Sequence, residues 1–225
     1  MSEDKLDTDR RVHVKVVLLG QTRAGKSCLM KRYIDDNFYG DQVASVGCSF
    51  AARSIIVGPV ELCLGIWDTC GQERYEALTR IYYQNAAAAI VCYDVTDLAS
   101  FEKTSFWINE LKEYNNEAAQ IYLVGTKADL VEKDIKQRAV ELSVVEALAK
   151  DVGAVTFETS SKTGENIKTL FQKIAEDFVS MGLHRKKRVK SIKLHQNTPT
   201  EDSIGLSKKS GCRCTGGNKE KTETS

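Results

Sequence analysis

The chain has 225 residues, 42% of them hydrophobic, which is enough for one good core in an ordinary globular protein. Its formal net charge of +1 gives no global field for a nucleic-acid partner, and neither an N-terminal apolar signal region nor a bilayer-long apolar run is present. The 7 cysteines include Cys28, Cys48, Cys63, Cys70 and Cys92, scattered without paired metal spacing, and His13, His184 and His195 stand far apart; this predicts reduced cytosolic thiols and no structural metal site.

Residues 1–11 are polar and charged and read as a flexible lead-in. The apolar run Val12–Leu19 reads as a buried strand. Directly after it comes Gly20-Gln21-Thr22-Arg23-Ala24-Gly25-Lys26-Ser27, with the spacing G-x-x-x-x-G-K-[S/T] of a phosphate-binding loop. Glycines there let backbone N–H groups turn inward around phosphates. Lys26 adds a point charge near the β and γ oxygens, and Ser27 offers a hydroxyl to Mg²⁺. The phosphate-contacting set predicted is Gly20, Arg23, Ala24, Gly25, Lys26, Ser27 and Cys28.

Helical spacing of Leu29, Met30, Tyr33 and Ile34 predicts a helix over 27–36. Residues 50–57 and 61–67, split by Gly58-Pro59-Val60, read as a hairpin. A helix over 75–83, strands over 87–93, 121–126 and 154–158, and helices over 101–115, 137–151 and 165–179 follow. This alternation predicts an α/β fold of the P-loop nucleotide triphosphatase kind. Its sheet is mostly parallel and six-stranded with one antiparallel edge strand, and helices cover both faces. Ligands in such sheets sit beyond the carboxyl ends of the strands, where every candidate motif falls.

Trp67-Asp68-Thr69-Cys70-Gly71-Gln72-Glu73 sits at one strand end. Asp68 there can orient Mg²⁺ through water, Gly71 brings a backbone N–H to the terminal phosphate, and Gln72 can position an attacking water. Thr126-Lys127-Ala128-Asp129 follows the 121–124 strand segment, and Asp129 can accept from the N1 and N2 edge of guanine, which adenine does not reproduce. Thr159-Ser160-Ser161-Lys162 can supply a backbone N–H to the guanine carbonyl; Ser160, Ser161 and Lys162 complete the base site.

From residue 12 to about 180 the chain resembles a Ras-superfamily small GTPase. Leu64-Gly65-Ile66-Trp67-Asp68-Thr69, Gln72-Glu73-Arg74-Tyr75, Ile81-Tyr82-Tyr83 and Tyr93-Asp94-Val95-Thr96-Asp97 are similar to signatures of its Rab family, and segments 66–77, 80–97, 120–130 and 157–164 resemble the atypical, autophagy-associated twenty-fourth branch. The resemblance implies a G domain over 12–181 that binds GTP or GDP with Mg²⁺ and switches vesicle traffic on the cytoplasmic face of endomembranes and in the cytosol. It implies that Phe38 stacks near guanine, that Ser45 joins Ser27 and Asp68 at Mg²⁺, and that Lys127 lies along the base and supports the phosphate loop. Trp67, Tyr82 and Tyr83 are either packing residues or part of the effector surface. The implied partners are an exchange factor, an activating protein, effectors and a prenyl-dependent escort (GDI), with no nucleic acid, and the implied state is a monomer.

Several positions depart from the family pattern. Ser45 stands for Thr and loses a methyl, Thr126 stands for Asn with one donor fewer, Thr22 replaces the Gly of Ras proteins, and Cys70 replaces Ala. One lost hydrogen bond weakens nucleotide binding by about 0.5–1.5 kcal/mol. Gln72 is retained, unlike in the branch resembled, which predicts slow but real hydrolysis; the alternative is a nucleotide-bound scaffold with negligible turnover.

Residues 182–225 read as a disordered tail, basic over 184–195 and poor in large apolar residues. Each basic residue contributes about 1 kcal/mol near an anionic leaflet. Cys212-Arg213-Cys214 has the C-x-C spacing of a doubly prenylated terminus but is followed by residues 215–225. Prenylation, palmitoylation and no modification stay open for it.

Overall fold

The computed structural model describes residues 12–40, 47–69, 76–115 and 119–182, with 76–79 described in backbone only. The strands are β1 (Val12–Leu19), β2 (Ser49–Val57), β3 (Val60–Asp68), β4 (Ala88–Asp94), β5 (Gln120–Thr126) and β6 (Val155–Glu158). They form one 6-stranded sheet in the order β2-β3-β1-β4-β5-β6. Only the β2–β3 hairpin is antiparallel; β1 pairs parallel with β3 and β4, and β5 with β4 and β6. Burial follows these positions. The central β4, AAIVCYD, is buried at every residue, whereas edge strand β2 alternates exposed and half-buried residues.

The helices are α1 (Lys26–Asp35), α2 (Glu76–Tyr83), α3 (Leu98–Glu102), α4 (Thr104–Tyr114), α5 (Ala128–Lys133), α6 (Leu142–Val152) and α7 (Ile167–Ser180). Because side chains alternate along a strand, β1 feeds two cores. Val14, Val16 and Leu18 meet Leu29 and Met30 of α1 and Leu170, Phe171 and Ile174 of α7. Val17 and Leu19 meet Tyr83, Trp107, Ile108 and Leu111 on the other face. Each full burial of a Leu or Met side chain is worth about 1.5–3 kcal/mol, so Leu29 and Met30 seat α1, and with it the loop at its head.

The six strands and the α/β layering match the sequence reading, while three helices differ. The helix expected over 101–115 is two elements broken at Lys103; α3 starts early because Asp97 accepts from the Ala99 N–H at 3.1 Å. The helix expected over 137–151 begins only at Leu142. Before it, Arg138 and Glu141 are extended, and Arg138 is drawn aside to pair with both oxygens of Glu158 at 2.6 and 2.9 Å. The short α5 was not anticipated at all.

Candidate nucleotide site

The loop between β1 and α1 turns at Gly20, whose φ is +133°. A Cβ there would stand 2.2 Å from the carbonyl oxygen of Cys92 on β4, so the loop closes against the sheet only with glycine. Lys26, 5% exposed, points back into this loop and donates to the carbonyls of Gly20 at 2.8 Å and Gln21 at 2.9 Å. Ala24 is buried, Gly25 and Cys28 are half-buried, and Arg23 is exposed at a φ of +68°.

Strand β3 ends beside the same loop. The Ser27 hydroxyl donates to Oδ2 of Asp68 at 2.6 Å, and Thr69 fixes the strand end by donating to the Leu18 carbonyl at 2.7 Å. Asp68 is 1% exposed and its Oδ1 is buried without a partner among the described residues. Burial raises its carboxyl above the ordinary value, opposed by the Ser27 hydrogen bond and the charges of Lys26 and Lys31. A buried carboxylate oxygen with no donor is costly unless water or a cation meets it. A hydroxyl and a carboxylate form a hard oxygen set that fits Mg²⁺. Among the described residues no cluster of three or more His, Cys, Asp and Glu side chains could hold a metal ion.

The second corner lies at the ends of β5 and β6. Asp129, 4% exposed in the first turn of α5, accepts from the Ser160 hydroxyl at 2.7 Å through Oδ1, and Lys133 stands 4.0 Å from its Oδ2. Ser160 and Ser161 are buried, while Lys162 is exposed. Backbone bonds from Ala128 N–H to Thr159 O at 3.1 Å and from Thr159 N–H to Gly125 O at 2.8 Å hold the two loops together. The Thr126 hydroxyl reaches two carbonyls, Ala24 of the phosphate loop at 3.1 Å and Tyr93 at 3.0 Å. It carries one proton and serves one of them at a time.

The Lys127 ammonium is bonded to Oδ2 of Asp94 at 2.5 Å. The cause is register: Asp94 pairs with Thr126 across β4 and β5, which puts the carboxylate beside the residue that follows β5. Thr96 fixes that carboxylate by donating its N–H and hydroxyl to Oδ1 at 2.9 and 2.7 Å. Asp94 was missed in the sequence, although it is a strand-end acid like Asp68. Phe38 is 37% exposed, with its N–H bonded to the Asn37 side chain at 2.8 Å. Ser45, Gly71, Gln72, Cys70, Cys212 and Cys214 lie outside the described residues.

Beside the Asp68 corner, three aromatic rings form a row. Phe50 and Trp67 have centroids 4.9 Å apart, Trp67 and Tyr82 5.5 Å, and the Lys15 ammonium lies 5.3 Å from the Trp67 ring centre. Phe50 is 57% exposed, whereas Tyr83 is fully buried and belongs to the core rather than to any surface.

A parallel sheet with a lysine-bearing loop at its central strand, an acid at the next strand end and a buried carboxylate two strands away defines a phosphate-loop nucleotide-binding protein. A Ras family model matches residues 15–180. Ras-related protein Rab-24 of Dictyostelium discoideum is 48% identical over 172 residues, 76% of this chain and 83% of that protein. GTP-binding protein ypt5 of Schizosaccharomyces pombe is 42% identical over 166 residues, 73% and 77% of the two chains, and Ras-related protein RABF2a of Arabidopsis thaliana is 38% identical over 168 residues, 75% and 82%. The chain belongs to the Ras family, within its Rab group of small GTPases. It is accordingly a GTP hydrolase that binds guanine nucleotides. No helix among the described residues is long and apolar enough to cross a membrane.

Proposed function

We propose that this protein is a GTP-controlled switch in vesicle traffic, acting in autophagy, with slow hydrolysis of its own. The observation that carries the reading is the Ser27–Asp68 contact beside buried Lys26, with Asp68 Oδ1 buried and unpartnered among the described residues. In this reading, backbone N–H groups of residues 20–28 and the Lys26 ammonium hold the phosphates of GTP, and Asp129 and the 160–162 loop read the base. Ser27 and Ser45 hold Mg²⁺ directly, and Asp68 holds it through water. Mg²⁺ held there would supply positive charge that offsets the charge of the phosphates. Lys26 offsets more of it from its fixed position, Gly71 donates its N–H to the terminal phosphate, and Gln72 orients the water.

The readout is a population shift in the segments that carry Ser45 and Gln72, with effectors reading the GTP form across Phe50, Trp67 and Tyr82. An exchange factor and an activating protein set the cycle. The basic tail, with lipid on Cys212 and Cys214 and a GDI-type escort, places the monomer on cytoplasmic faces of endomembranes. The 48% identity to Ras-related protein Rab-24 supports the branch resemblance from which the autophagy reading comes.

Single-turnover hydrolysis of bound GTP, with and without Gln72→Leu, tests the catalytic half. A slow rate that falls further in the variant supports the switch; an unchanged rate favours a nucleotide-bound scaffold. Mass spectrometry of the cell-derived C-terminus tests the anchor, and unmodified Cys212 and Cys214 would remove it.

A further inference from the structure

Arg32 lies on α1, the helix that begins at the phosphate loop, yet its guanidinium reaches the base corner. One nitrogen, Nη1, donates to the Asp36 carbonyl at 3.2 Å and closes the helix end. The other, Nη2, donates to the Thr163 carbonyl at 3.1 Å, 131 residues away in sequence. Among the described residues Nε is buried without a partner, and the two Nη contacts are what hold the group by hydrogen bonding.

Gly164 lies flat against it: a Cβ there would stand 2.6 Å from Nη2 and 3.0 Å from Nε. From Thr163 the contacts continue inward. Its N–H donates to the Ser160 hydroxyl oxygen at 3.2 Å, and that hydroxyl donates to Oδ1 of Asp129 at 2.7 Å. Gly164 N–H donates to the Ser160 carbonyl at 2.8 Å, which locks the turn between them.

We propose that Arg32 is a positioning residue for guanine recognition: it couples the phosphate-loop helix to Asp129 through Thr163 and Ser160. The inference rests on the reading that Asp129 accepts from the guanine edge. Without Arg32 the 160–164 turn loses its tie to α1, Ser160 loosens, and Asp129 loses its fixed orientation. The helix itself stays seated, because Tyr33 stacks on Phe171 with centroids 3.8 Å apart and Leu29 and Met30 remain buried.

The test compares release of fluorescent N-methylanthraniloyl GDP and IDP from the full chain with Mg²⁺, for the wild type, Arg32→Ala and Arg32→Lys. Inosine lacks the 2-amino group, so a displaced Asp129 costs IDP less than GDP. Arg32→Ala should speed GDP release about tenfold, IDP release less, and so lower the GDP-over-IDP preference. Arg32→Lys, able to reach one carbonyl only, should fall between, and it decides the matter if the alanine variant does not fold. A merely structural arginine would lower the melting temperature and leave the preference unchanged; that result overturns the proposal while the base reading stands. A wild type with no preference for GDP over IDP would overturn the base reading, and the proposal with it.

Discussion

The Ser27 hydroxyl donates to Oδ2 of Asp68 over 2.6 Å, joining the first turn of α1 to the last residue of β3. The other oxygen of this carboxylate has no partner among the described residues. Removing the donor with Ser27→Ala therefore strips a buried acid of its side-chain hydrogen bond, a loss of about 1.5–3 kcal/mol for a charged acceptor. The urea midpoint of the nucleotide-free protein should fall accordingly. If Ser27 also holds Mg²⁺, EDTA should speed nucleotide release from the wild type far more than from the variant. Equal EDTA effects in the two would remove Ser27 from the metal site.

Thr126 presents one proton to two carbonyls, Ala24 O in the phosphate loop and Tyr93 O on β4. An amide nitrogen has two protons. Thr126→Asn should satisfy both acceptors and slow GDP release about threefold to tenfold, the net worth of one hydrogen bond. Thr126→Val keeps the shape, takes the hydroxyl donor from both carbonyls, and should speed release. Stopped-flow release rates in the order Val, Thr, Asn, fastest first, are the expected result; an Asn variant no slower than the wild type would show that the second carbonyl is met elsewhere.

The parts legible from sequence were those whose signal is local. Apolar runs gave the inner strands such as β4, because strands buried on both faces read as uninterrupted apolar residues, and the Gly58-Pro59-Val60 break gave the β2–β3 hairpin. The phosphate loop was legible because Gly20, Gly25, Lys26 and Ser27 fall at fixed spacing within one short segment and the turn needs those residue types. Helix ends were less so. Lys103 interrupts an otherwise periodic run without any helix-breaking residue, and α5 is too short at 6 residues for periodicity to show. Contacts that join distant segments left no pattern: Asp94 with Lys127, Arg138 with Glu158, and Arg32 with Thr163 each depend on sheet register or helix docking.

Cys92 sits at 0% exposure in β4, and burial pushes its thiol from 9.0 up to about 12. The folded protein holds it neutral, while the unfolded chain ionises it above pH 9. A raised acid pKa of this kind contributes stability that is complete below pH 9 and declines as pH rises toward 12. The loss should reach about 1.4 kcal/mol between pH 8 and 10. Tyr33, Tyr93 and Tyr122 are also raised by burial, but from 10.0, so their share appears at higher pH. Urea denaturation at pH 8 and 10 should therefore show a smaller alkaline loss in Cys92→Ala than in the wild type. An identical loss would mean that the thiol meets water in the folded state.

The chain has 2 tryptophans in unlike settings. Trp107 is 2% exposed in α4 beneath the sheet, whereas half-buried Trp67 stands next to Asp68, between Phe50 and Tyr82 and near the Lys15 ammonium. Strands β2 and β3 carry Phe50 and Trp67 at the ends nearest in sequence to Ser45 and Gln72. A nucleotide-driven rearrangement of those two segments should change the packing around Trp67 and leave Trp107 untouched. Exchanging GDP for a non-hydrolysable GTP analogue should then shift tryptophan fluorescence in the wild type and in Trp107→Phe, but not in Trp67→Phe. A shift that survives Trp67→Phe would place the conformational change away from the aromatic row, and that row would lose its claim to report the nucleotide state to partners.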